Sequence, residues 1–169
     1  MYMIDFAKKE EEPLLQDIFT AVDMALVGSI EDHVVIRENG ILCGGGLLYE
    51  MDVQLFHLLT IAVRQDGRGR GTGSLLLRKI LEQPWCCCRD AVTGRGSVYR
   101  VTTVARGSSR NFYLKNGLND CRFDELIEPF EHQCKSCSEA DQCNSSAMEY
   151  FGNGKDWDMV LGQEGEYAV

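Results

Sequence analysis

The sequence predicts one mixed α/β domain, a single sheet flanked by helices. Three stretches carry that expectation: a hairpin centred on Asn39-Gly40, a buried strand that runs into a glycine-rich loop and a helix over residues 54–82, and a second strand and helix over residues 97–116. At 169 residues the chain has the length for one full hydrophobic core and is short for two. The whole range, 1–169, is therefore read as a single domain.

Ile4-Asp5-Phe6-Ala7 makes a short first strand. Leu14, Leu15, Ile18, Phe19, Val22, Ala25 and Leu26 then recur at helical spacing from Glu10 to about Val27, an amphipathic helix. Pro13 suits its first turn, and the glutamates around it favour the positive end of the helix dipole. Residues 33–38 and 41–49 flank Asn39-Gly40, which accepts the positive backbone angles of a type I′ turn. Gly44-Gly45-Gly46 would weaken the second of these strands, and they call for a bulge or a close approach of backbone or ligand. Residues 54–63 are apolar on both faces apart from His57 and Thr60, the pattern of a central strand. After the glycine loop Leu76, Leu77, Ile80 and Leu81 mark a helix that Pro84 stops. Residues 97–105 are β-branched and aromatic, hence a strand. Ser108 or Ser109 caps a short helix through Asn116, and Gly117 ends it. Beyond Glu131 the composition turns to cysteine, serine and asparagine, a cysteine-rich insertion over about 131–154, and residues 157–161 read as a last strand.

Lys and Arg number 17 against 26 Asp and Glu, a formal charge of -9. The average field repels nucleic acid, and a basic partner or cationic substrate is easier to accommodate. No apolar run approaches the length of a bilayer, and Met1-Tyr2-Met3-Ile4-Asp5 lacks the basic and apolar regions of a secretory signal. No membrane contact and a cytoplasmic location are expected. Arg64, Arg68 and Arg70 nevertheless crowd into seven residues, a local cationic loop that suggests a bound anion.

Glycines at 67, 69, 71 and 73 lie between the buried strand and the helix. Without side chains the backbone can come close to a ligand, and its N–H groups with the helix N-terminus make an anion cradle. Arg68 and Arg70 add charge for phosphate. No Gly-Lys-Ser/Thr follows, as a P-loop requires, and no Asp or Glu stands at a second strand end for a dinucleotide ribose.

Arg68-Gly69-Arg70-Gly71-Thr72-Gly73 fits the pyrophosphate-loop form Gln/Arg-x-x-Gly-x-Gly/Ala, and in these residues the chain resembles the GNAT N-acetyltransferase superfamily. Asn111-Phe112-Tyr113-Leu114-Lys115-Asn116-Gly117-Leu118 is similar to the second signature of that family, with Leu118 in place of its usual Phe. The resemblance implies a central twisted mixed sheet whose two parallel strands splay apart, flanked by helices. It implies acetyl-CoA as co-substrate, with its pantetheine arm along Ile61, Ala62 and Val63, its diphosphate on the amides from Gly69 through Arg70, Gly71, Thr72 and Gly73 to Ser74, and Arg68 and Asn111 as further contacts. The implied reaction moves an acetyl group from the thioester to a primary amine of a small molecule or protein by direct transfer.

Acyl transfer from a thioester needs a neutral amine, stabilisation of the oxyanion and a proton for the departing thiolate. Tyr113 matches the family tyrosine that supplies or orients that proton; a phenol near pKa 10 is protonated at neutral pH. Some members carry a basic glutamate eleven residues before the loop's first position, and here that position is His57. An imidazole near pKa 6.5 is a competent base. Glu50 and Asp52, at the hairpin exit, are its rivals, and a hydrogen-bonded core histidine is the other reading of His57.

Cys134, Cys137 and Cys143 with His132 offer enough soft ligands for one structural zinc; reduced thiols in a reducing cytosol are the alternative. Cys86-Cys87-Cys88 cannot all hold one metal from adjacent positions and read as thiols at a helix end. A homodimer is in keeping with the resemblance. A non-catalytic acyl-CoA sensor or interaction module stands beside the enzyme as the second reading, and a metal or thiol regulatory protein as the third.

Overall fold

The computed structural model describes residues 1–153. Strand β1 (Tyr2–Phe6) is followed by a 3-10 turn and helix α1 (Glu12–Thr20), then by the hairpin β2 (His33–Glu38) and β3 (Ile41–Asp52). Asn39 (φ 51°) and Gly40 (φ 82°) make the expected turn. Strand β4 (Leu55–Val63) leads through the glycine loop to α2 (Thr72–Glu82) and the short α3 (Pro84–Cys87). Strand β5 (Val98–Ala105), helix α4 (Arg110–Lys115), β6 (Asn119–Asp120), α5 (Ala140–Cys143) and β7 (Ser146–Asn153) complete the described chain. The sheet order is β1-β2-β3-β4-β5-β7-β6, and β4 with β5 is its parallel pair.

Helices cover both faces of this mixed sheet. Leu76, Leu77, Ile80 and Leu81 of α2 pack on Ile36, Leu48, Phe56, Leu58 and Val101, while Leu15, Ile18 and Phe19 of α1 close a smaller core over Val35, Leu42 and Ala62 on the other face. Each fully buried leucine or isoleucine contributes about 1.5–3 kcal/mol over its exposed state. The Tyr99 hydroxyl donates to the Leu81 carbonyl at 2.7 Å and so satisfies the end of α2. The three glycines of β3 permit close approach: a Cβ at Gly44 would stand 2.5 Å from the Ala62 carbonyl, and one at Gly46 2.9 Å from that of Thr60.

Two elements differ from the sequence reading. Helix α1 stops at Thr20 instead of running to about Val27, because Asp23 takes φ 55° and the chain then extends. Val22, Met24 and Leu26 pack on the smaller core, with Asp23, Ala25 and Val27 between them exposed; the apolar residues satisfy a two-residue period as well as a helical one. The segment assigned to a cysteine-rich insertion ends in β7, paired with β5 from Ala105↔Ser146 to Val98↔Asn153. Its Ala147 and Met148 are buried side by side, so the alternation that marks a half-exposed strand is absent. The last strand expected at residues 157–161 lies outside the described residues.

Candidate active site

The parallel ladder of β4 and β5 covers Leu55↔Arg100 to Leu58↔Thr103 and stops. On its other edge β4 pairs Leu58 with Leu48 and Thr60 with Leu47, so Leu59 is an extra residue. Such a bulge bends the strand and increases its twist. Beyond Leu58 the two strands therefore fork, and β4 from Leu59 to Val63 has no ladder partner on the β5 side.

A cavity of about 810 Å³ fills the fork and reaches the glycine loop, within the range of small-molecule sites. It is lined by eight of the residues expected to contact the co-substrate: Ile61, Ala62, Val63, Arg68, Gly69, Gly71, Gly73 and Ser74. Gly69 (φ 77°) and Gly71 (φ 83°) adopt left-handed backbone, and Gly71 is the N-cap of α2. The first amides of α2 lack partners within the helix and point out of its positive end. A Cβ at Gly73 would stand 3.5 Å from the Phe112 ring, in the mouth of the cavity. Arg64 is held by Asp66 (2.7 Å), so Arg68 is the loop cation on the cavity wall.

Arg70 and Thr72 line a separate pocket of about 190 Å³ with Cys43 and Arg64, and Asn111 is exposed and outside the cavity wall. Sequence reasoning missed Val22, Met24, Arg106 and Ser108, which close the cavity from distant segments. Arg106 donates to the carbonyls of Val22 (2.9 Å) and Asp23 (2.7 Å), fixing the extended segment after α1 to the rim.

Tyr113 and His57 stand where the ladder stops, on opposite faces of the sheet, and neither lines the cavity wall. The Tyr113 hydroxyl bonds to the Thr103 side chain, which donates to the Leu58 carbonyl at 2.8 Å. Burial pushes the phenol up to about 12, so it keeps its proton across the neutral range. His57 is 1% exposed, with Nδ1 2.8 Å from Thr102 Oγ1. Thr102 Oγ1 also lies 3.3 Å from the Phe56 carbonyl; with its proton there, the ring proton stands on Nδ1 and Nε2 keeps a lone pair. Burial lowers the imidazole to about 4, and it is neutral at pH 7. The ring of Phe130 stacks on it at 3.6 Å and 7°.

The rival carboxylates are engaged elsewhere. Glu50 accepts from the amides of Val92 (2.5 Å) and Thr93 (3.0 Å), and Asp52 from that of Val53 (2.7 Å). Burial raises the Glu50 carboxyl, but these hydrogen bonds outweigh it and leave it below the usual range.

The zinc expected on Cys134, Cys137, Cys143 and His132 is not supported. Among the described residues the group whose donor atoms gather within 4.8 Å is Glu128, Glu131 and His132, with no sulfur. Cys134 turns to Ser145 Oγ (3.0 Å) and Cys137 is exposed, so the short turns between them point the thiols apart. Cys87, buried as expected at a helix end, has its thiol raised to about 12. No helix among the described residues is long and apolar enough to cross a membrane.

A family model described as an acetyltransferase (GNAT) domain matches residues 29–117, more than half of the chain. Comparison with curated proteins gives no match. Solved structures share the fold. N-acetylglutamate synthase from Neisseria gonorrhoeae, complexed with coenzyme A and N-acetyl-glutamate, superimposes with a TM-score of 0.69 at 17% identity over 89% of this chain and 35% of that one. The chain thus spans about a third of the synthase. A ribosomal-protein alanine N-acetyltransferase from Escherichia coli gives 0.57 at 14% over 90% and 94% of the two chains. Diaminobutyrate acetyltransferase from Paenibacillus lautus, in complex with diaminobutyric acid and coenzyme A, gives 0.57 at 11% over 91% and 96%.

Proposed function

The chain belongs to the GNAT acetyltransferase family, and from that premise we propose that it moves an acetyl group from acetyl-CoA to a primary amine by direct transfer. One observation carries the reading: the amide-rich loop, Arg68 and the open edge of β4 line one cavity in the fork, and that fork begins between a phenol and an imidazole. The loop amides and Arg68 hold the diphosphate. The edge from Ile61 to Val63 offers main-chain groups to the amide-bearing pantetheine arm, as an added strand would.

The residues at the fork divide the proton chemistry. The amine nitrogen forms a bond to the thioester carbonyl carbon, and the carbon–sulfur bond breaks. Tyr113, protonated, donates to the departing thiolate; His57, through Nε2 or a bridging water, takes the proton lost by the amine. Their positions on opposite faces suit an attack from one side and departure on the other. An amine must arrive uncharged to react, and the formal charge of -9 favours cationic amines in encounter. Small-molecule and protein amines both remain as acceptor classes, since acceptors of both kinds are named among the neighbours of this fold. Eight unbridged thiols are in keeping with the cytoplasm.

Calorimetry with coenzyme A and acetyl-CoA, followed by thioester consumption against polyamines, amino acids and peptides with free N-termini, tests the proposal. Binding with turnover on one class is the expected result; absence of binding would sink it. Binding without turnover on any amine would favour the sensor reading, which the ring over His57 makes worth testing.

A further inference from the structure

Two buried side-chain polar atoms among the described residues have no partner in the protein, His33 Nε2 and Thr60 Oγ1. The first belongs to a ring packed edge-on against Phe19 of the smaller core. The second stands at the fork. Thr60 and His57 are the polar side chains of an otherwise apolar β4. Three positions apart, they would face opposite ways on a regular strand, but the extra Leu59 brings both to the α1 face: His57 pairs with Tyr49 and Thr60 with Leu47, two residues away on β3. The two side chains are therefore neighbours, about 7 Å apart along the strand. Ala62, two positions beyond Thr60 on the same face, lines the cavity. Along that face the order is imidazole, hydroxyl, cavity wall.

A hydroxyl sealed from solvent without a partner costs free energy, and native proteins keep such groups where a bound water or a function accounts for them. Resting on the transfer reading above, we propose that Thr60 is a positioning residue for the proton path: its hydroxyl holds a water that joins the cavity to His57 Nε2. Both ends of that bridge are uncommitted within the protein. Nδ1 of His57 is taken by Thr102, which leaves Nε2 as the ring atom for the water, and Thr60 Oγ1 bonds to no protein group. The interval along the strand suits one water with a hydrogen bond of about 2.8 Å at each end. As the bond from the amine nitrogen to the carbonyl carbon forms, one N–H bond of the amine breaks and its proton passes to the water. The water gives one of its own protons to Nε2, so that an imidazolium and a water result. Thr60 keeps its proton throughout and acts by holding the water in line. His57 thus reaches the amine without standing on the cavity wall.

The test compares the full chain with Thr60→Val, which keeps the shape and removes the hydroxyl, and Thr60→Ser, which keeps the hydroxyl. For the panel amine that turns over fastest, Thr60→Val lowers kcat roughly tenfold or more while KM for the amine and coenzyme A affinity by calorimetry move less. Thr60→Ser recovers most of the lost kcat. In mixtures of light and heavy water the dependence of kcat on deuterium content is curved in the parent, because more than one proton moves, and straightens in Thr60→Val. An unchanged kcat in Thr60→Val overturns the proposal. So does a loss that Thr60→Ser leaves unrepaired, or an equal loss of coenzyme A affinity, either of which assigns Thr60 to packing. A crystal structure of the parent with coenzyme A gives a reading free of turnover, and it serves if the valine variant does not fold. One water within hydrogen-bonding distance of both Thr60 Oγ1 and His57 Nε2 is expected; a Thr60 hydroxyl bonded to a protein group overturns the bridge. Failure of every panel amine would fell the transfer reading instead, and the crystal structure would still decide whether Thr60 and His57 share a water.

Discussion

The two sides of the fork are built differently. On the glycine-loop side the wall comes from one short stretch, with Arg68, Gly69, Gly71, Gly73 and Ser74 on it, shaped by left-handed Gly69 and Gly71. Where the fork begins, the groups around the imidazole are instead side chains from separate strands and a turn: His57 of β4, Thr102 of β5 and Phe130 beyond β6. A backbone site tolerates any side chain that does not intrude on it, so its requirements appear as glycine. A side-chain site depends on register and on contacts distant in sequence, and its local residues look ordinary.

That contrast can be broken most sharply by pH. His57 is held below its ordinary value by burial, so between about pH 6.5 and 4 the unfolded chain binds the proton that the folded chain refuses. Stability therefore rises with pH through this window and is lost on acidification, by about 3 kcal/mol at pH 4 if the shift is fully expressed. His33, also lowered by burial, adds in the same direction. Denaturant titrations of parent and His57→Gln from pH 4 to 7 should give the variant a visibly flatter curve; parallel curves would mean that the imidazole is not sealed. Next in size, Tyr113→Phe should lower kcat on the order of 100-fold with little change in coenzyme A affinity by calorimetry. Equal loss of both would assign Tyr113 to packing. On the loop side, Gly71→Val places a β-branched residue at φ 83° and should weaken coenzyme A binding roughly 30-fold through strain of about 2 kcal/mol. Unaltered affinity would break the claim that backbone makes this wall. The smallest effect is expected at the rim, where Arg106→Ala removes two hydrogen bonds to the segment after α1. A fivefold weakening of coenzyme A binding, worth about 1 kcal/mol, would sharpen the comparison by showing how little an exposed clamp adds.

The same contrast explains what could be read in advance. Asn39-Gly40, the apolar run of β4, the helical leucines of α2 and Gly117 each act within a few residues, and the hairpin, central strand, loop and α4 follow from them. The end of α1 did not, because Val22 and Leu26 fit helical and extended periods alike and tertiary packing on Ala62 and Leu42 decided between them. Strand β7 was hidden by double burial of Ala147 and Met148. In the site, Ile61 to Ser74 were adjacent to the motif, whereas Arg106 meets Val22 across 84 positions and no spacing announces it. Phe130 carried no signal at all. The cysteines misled for a related reason: close spacing puts thiols near in the chain, but a tetrahedral site also needs turns that aim them at one point.

Leu59 gives the molecule a parity. Side chains along β4 alternate between faces, and this one extra residue offsets the count: Leu58 and Ile61, three positions apart, both pack into the α2 core, while Ala62 lies in the smaller core opposite. Deleting Leu59 would keep every remaining pair with β3 in register and remove only the bend that opens the fork, whereas a residue inserted between His57 and Leu58 would turn the imidazole to the side of α2. Length changes in the surface loops leave this offset untouched.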